Sequence, residues 1–153
     1  MTNKNEMKPY FEVTQEAGRD FVMRRIHGEI VMLNLLRFRE IADYSAAPDL
    51  CPQIPISGED AFQRYIDHTL PFLRETGGDI LFLGKGGKFL IGPESERWDM
   101  AMMIRQKSVN SFLSFASHEG YLKGIGHRTA ALEDSRLLPL VEANAEETDK
   151  NQA

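Results

Sequence analysis

The chain has 153 residues, 42% of them apolar and 27% charged, which suits one folded domain with its own core. A net charge of −5 and a pI near 5.4 argue against general binding to nucleic acid or an anionic membrane. Cys51 is the only cysteine, so neither an intrachain disulfide nor a cysteine-built metal cluster can form.

The opening stretch "MTNKNEMKPYFEV" lacks the apolar segment of a secretory signal, and no apolar run approaches the length of a membrane span. A cytoplasmic protein is expected, with residues 1–13 as a flexible N-terminal segment. Thr14 is placed to cap a helix running to about Arg25, with Ala17, Phe21, Val22 and Ile26 at helical spacing. After Gly28, "IVMLNLLRF" (30–38) is apolar on both parities and reads as a strand covered on both faces. Residues 41–56 carry Pro48, Pro52 and Pro55 and no clear period, an irregular insertion of the kind that often serves function.

Ser57 caps a second helix whose buried stripe is Phe62, Tyr65, Ile66, Thr69, Leu70 and Leu73, with Pro71 a source of kinking and Gly77–Gly78 its end. Residues 79–84 form a second strand, "GKGGK" reads as a turn, and "KFLIG" as a short returning hairpin arm. Residues 98–106 are a third strand, and Ser108 caps a helix with Val109, Phe112, Phe115 and Ala116 inward. Glycines in "SHEGYLKGIGHR" break that helix before a last strand over 136–141. The acidic residues 142–153 read as a disordered tail, leaving 14–141 as a single domain.

Setting the first helix aside, the order βαββαβ predicts an α+β, ferredoxin-like sandwich: one antiparallel sheet with two helices on one face. The strands are apolar on both faces, with Val31, Leu33 and Leu35 on one parity and Met32 and Leu36 on the other, so the face without helices needs a partner, and the simplest is a second copy. The blocks "VMLNLLRF", "YIDHTLPFLRETGGDILFLG", "ERWDMAMMIRQ" and "HRTAALEDSRLLP" resemble the family called domain of unknown function 1330, from about Ile30 to Leu140. That family belongs to the dimeric α/β-barrel superfamily, so the resemblance implies a ferredoxin-like fold and a homodimer closed into a barrel. It supplies no reaction. The segment "RQKSVNSF" departs from similar sequences in lacking a tyrosine-proline before the serine.

One end of this topology collects Arg37, the 41–56 insertion, Trp98, and the connection from Tyr121 to Arg128, so the pocket is expected there, between sheet and helices. His127 and Arg128 are the candidate catalytic pair: histidine exchanges protons near neutrality and arginine grips carboxylates. The plainer alternative for Arg128 is an ion pair with Asp99, Glu133 or Asp134. Asn34, Arg37, Tyr65, Trp98 and Tyr121 are the candidate ligand-binding residues, each with a structural alternative: a satisfied amide for Asn34, a core or interface ring for Trp98. Asn34 and Arg37 differ by three positions, so they point to opposite faces unless the strand bulges. His68 lies off the buried stripe and is expected in solvent.

Three functions compete. One is a cofactor-independent enzyme acting on a small carbonyl or carboxylate compound, with an anionic ligand favoured; the second is a non-catalytic ligand-binding or structural dimer. The third, a haem-degrading monooxygenase, comes from superfamily relatives that use an asparagine, a tryptophan and a haem-ligating histidine. It fits least well, because Ser108, Val109, Asn110 and Ser111 occupy the positions where that histidine is expected. Neither a metal nor another cofactor is expected, since HxxxH, HExxH, Walker, dinucleotide and GxSxG patterns are all missing.

Overall fold

The structure is a computed structural model that describes residues 8–144. Its elements are α1 (Gln15–Met23), β1 (Ile30–Phe38), α2 (Gly58–Glu75), β2 (Asp79–Lys88), β3 (Arg97–Gln106), α3 (Val109–Ala116), α4 (Glu119–Leu122), α5 (Ile125–Ala131) and β4 (Leu132–Leu140). The four strands form one antiparallel sheet in the order β2-β3-β1-β4, which with α2 and α3 is the ferredoxin-like α+β arrangement. Among the described residues, no helix is long and apolar enough to cross a membrane.

The predicted caps form. The side chains of Thr14, Ser57 and Ser108 accept backbone N–H bonds at the starts of α1, α2 and α3. The N–H of Gly78 returns to the Leu73 carbonyl and that of Gly77 to Arg74, closing α2 in the Schellman pattern. The buried face of α2 (Phe62, Tyr65, Ile66, Thr69, Leu73) packs on Leu36 and Phe38 of β1 and Met100 and Met102 of β3. The alternate residues of the sheet face the other way. Register aligns Phe82, Met103, Leu33 and Leu138 in one row across that face, with Phe82 and Leu138 exposed.

Several expectations need correction. "GKGGK" is not a turn: β2 runs unbroken to Lys88, paired with Arg97, and the chain reverses only in 89–96. The reason is steric. A Cβ on Gly86 would lie 2.4 Å from the Trp98 carbonyl, so glycine here permits close pairing of strands rather than reversal. Strand β4 begins at Leu132, and His127 and Arg128 lie on α5 instead of in a loop. His68 is not free in solvent: its Nε2 is 2.7 Å from the Gly120 carbonyl oxygen. Part of the segment expected to be flexible is tied down. The Tyr10 N–H donates to Asp134 Oδ1 (2.8 Å), and the Tyr10 carbonyl accepts from Ser135 Oγ (2.5 Å). The expectations for residues 1–7 and 145–153 lie outside the described residues.

The junction of β1, α2 and α5 leaves no room for a side chain. A Cβ on Gly58 would fall 2.3 Å from the Arg39 carbonyl oxygen and 2.7 Å from that of Ala131. Both obstacles are backbone and cannot rotate away. Gly58→Ala should therefore cost about 1–3 kcal/mol in chemical denaturation, against about 1 kcal/mol for removing the neighbouring cap in Ser57→Ala.

Candidate functional site

The insertion after β1 is fastened at its two ends by backbone bonds. Arg39 N–H donates to Ala131 O (2.8 Å), Gly58 N–H to Arg39 O (3.0 Å), Ala42 N–H to Ile56 O (2.9 Å) and Asp43 N–H to Ala130 O (2.9 Å). These bonds deliver Tyr44 beneath α5. Its hydroxyl lies 2.8 Å from His127 Nδ1, with the rings edge to face, and Tyr44 is only 6% exposed. From the other side α2 presents Arg64 and His68, four residues apart and so on one helical face.

The electrostatics of this group have a clear direction. Burial, then the charges of Arg64 and His68, hold the His127 imidazole below the usual 6.5. Burial pushes the Tyr44 phenol up. Near neutral pH the pair is therefore a neutral imidazole against a protonated phenol, a state in which histidine can accept a proton. Arg64 forms no hydrogen bond or ion pair with another described residue. It lines an open depression of about 340 Å³ together with Pro52, Gln53, Ile54 and Ile56. A second depression lies between residues 46–50 and the α4–α5 segment.

The residues expected to share one pocket occupy separate places. Tyr65 and Tyr121 meet in the core, hydroxyl to hydroxyl at 2.8 Å, and burial raises the Tyr65 phenol well above its ordinary value. Arg128 is held by the Phe11 carbonyl at 2.8 Å and Ser135 Oγ at 3.4 Å; neither Asp99 nor Asp134 forms an ion pair with it. Arg37 and Trp98 form a different group: the guanidinium carbons of Arg37 and Arg136 lie 4.9 and 5.0 Å from the Trp98 ring centroid. Arg37 Nε also donates to the Arg97 carbonyl, and Trp98 Nε1 to Glu96. Asn34 turns back along its own strand, its Nδ2 donating to Met32 O at 3.2 Å. Of the candidates, only His127 is in the group with Tyr44 and Arg64. Reading the sequence missed those two partners. The offset of four between Arg64 and His68, away from the apolar stripe, is the signal that marks their shared face.

Comparison with solved structures places the chain. A crystal structure of the protein RPA0582 from Rhodopseudomonas palustris, of unknown function, matches with 31% identity and a TM-score of 0.76. The match covers 87% of this chain and 96% of that one. A methylated form of RPA0582 matches with 31% identity and a TM-score of 0.77, over 88% and 95%. The chain belongs to the RPA0582 family. A dimeric ferredoxin-like protein from Thermobifida fusca, also of unknown function, is more distant, at 13% identity and a TM-score of 0.44 over 74% and 91%. No family model matches, and neither does any curated protein. Membership of the RPA0582 family thus carries the ferredoxin-like fold and no reaction.

The His127 environment sets a pH dependence. With its folded value below 6.5 and an ordinary value when unfolded, the unfolded chain binds more protons in the interval between them. Its contribution to stability is complete above 6.5 and is lost as pH falls through the lowered folded value. An NMR titration should find the His127 midpoint below 6.5, and His127→Asn should flatten the loss of stability over that window.

Proposed function

We propose that the chain is a homodimer that binds a small carbonyl or carboxylate compound beside His127 and moves a proton there without a cofactor. The observation that carries this reading is the 2.8 Å contact between Tyr44 and His127. His127, kept neutral, takes the proton; Tyr44 fixes the imidazole plane and steadies its Nδ1. Arg128 supports the reaction at one remove, by pinning the Phe11 segment against Ser135. The haem reading has no comparable support: Ser108 at the start of α3 accepts from the Ser111 N–H and donates to Ser111 Oγ.

Support for the homodimer comes from the apolar row Phe82–Met103–Leu33–Leu138 on the sheet face away from α2. An obligate contact there would bury about 2,000 Å² or more in total. A cytoplasmic setting and kinship with the domain of unknown function 1330 belong to the same reading. The kinship is supported by the quoted sequence blocks and, at the level of fold, by the likeness to RPA0582.

A non-catalytic binding dimer is the second reading, favoured by the openness of the depression beside Arg64, since enzymes usually enclose proton transfer. Solvent deuterium exchange at the α-carbon of bound carbonyl compounds, followed by NMR, separates the two. Catalysis predicts exchange that His127→Asn abolishes while binding persists; binding without exchange leaves the second reading. For the dimer, sedimentation should give twice the chain mass, and Leu33→Asp should halve it.

A further inference from the structure

We infer that Arg64 and the 52–56 wall form the recognition site for a short-chain aliphatic monocarboxylic acid, its carboxylate on the guanidinium and its carbon chain along Pro52, Ile54 and Ile56. This deepens the proposed function and rests on it for the ligand's position near His127. Arg64 is a cation on the rim of a depression that contains no other charged residue. Asp60 and Asp67 stand near it on α2, yet neither forms an ion pair with it, and Asp67 instead accepts from Gln63 at 2.9 Å. An arginine without a carboxylate partner presents its planar fork to whatever anion enters, and a carboxylate matches that fork with two parallel bonds.

The wall defines the rest of the molecule. Ile54 is 75% exposed, and the residues around it are Pro52, Ile56 and the neutral amide of Gln53. Apolar surface next to one cation suits an acid with a hydrocarbon tail. A dianion such as phosphate would meet one guanidinium and no second cation among the lining residues. The volume of about 340 Å³ limits the tail to a short one. Ile56, at the end of the wall, accepts from the Ala42 N–H within the insertion, and the Asp43 N–H ties that part of the insertion to Ala130 at the end of α5.

Three probes test this with the full chain: hexanoate, its neutral isostere hexanamide, and acetate, titrated while backbone amide NMR signals of residues 52–56 and 64 are followed. Hexanoate should move those signals and bind roughly ten- to a hundredfold more tightly than hexanamide, the range for one charge-assisted pair. Acetate should bind more weakly than hexanoate because it lacks the tail. Arg64→Gln should bring hexanoate down to the level of hexanamide, Arg64→Lys should restore part of the difference, and Ile54→Ser should reduce the advantage of hexanoate over acetate. Arg64 is exposed, so these variants should fold, and unchanged melting temperatures would verify that. The inference is overturned if hexanoate and hexanamide bind alike, if Arg64→Gln changes nothing, if inorganic phosphate competes as well as hexanoate, or if no probe moves these signals. Carboxylate selectivity that depends on Arg64, without proton exchange at His127, upholds the inference and sinks only the catalytic reading. Proton exchange without that selectivity does the reverse.

Discussion

Everything near His127 depends on three stretches of backbone meeting at Gly58. The Gly58 N–H reaches the Arg39 carbonyl, and the Arg39 N–H reaches that of Ala131, so the end of β1, the start of α2 and the end of α5 are joined without side chains. A side chain at Gly58 would hold these segments apart. Because they touch, the insertion that follows β1 must run directly under α5, and Asp43 bonds Ala130 there. Tyr44 comes next in the chain and has no room to avoid His127. The close pairing of phenol and imidazole thus follows the main-chain bonds that bring the start of the insertion against α5.

The sheet separates two cationic environments that composition alone would merge. On the α2 side, burial and then the charges of Arg64 and His68 disfavour protonation of His127. The other group has Arg37 and Arg136 against Trp98, and Arg136 also stacks on Tyr10 and pairs with buried Asp134 at 2.7 Å. Its charges are engaged by an aromatic ring, a carboxylate and backbone carbonyls, which suits rigidity. Arg64 differs in meeting no such partner among the described residues.

Much of the architecture was legible because it depends on local patterns. Caps at Thr14, Ser57 and Ser108, the stripe of α2 and the span of β1 all follow from short-range periodicity. The failures have one cause: partners far away in sequence. Gly86 reads as a turn until the Trp98 carbonyl is seen beside it. Trp98 shares parity with Met100 and Met102 but is drawn to Arg37 and Arg136 near the β1–β4 register shift at Arg37/Phe38. Arg128 was a sound choice by residue type, and only the position of Phe11, 117 residues earlier, reveals what occupies it. His127 stands out in the sequence by residue type alone, whereas Tyr44 lies in an aperiodic insertion that offers no pattern to read.

The two margins of the sheet are unlike, and that bears on where a further strand could add. At β4, Tyr10 bonds Asp134 and Ser135, Arg24 Nη1 donates to the Pro139 carbonyl, and Pro139 has no N–H to offer. At β2, the other end of the sheet order, no further strand pairs among the described residues. Strand addition is therefore open at one margin and obstructed at the other. A monomer with two open margins can propagate a ribbon indefinitely; with one, edge pairing ends when two β2 strands meet. Tyr10 and Arg24 thus take up groups of β4 that an added strand would otherwise use, so one margin of the sheet is guarded by the chain itself.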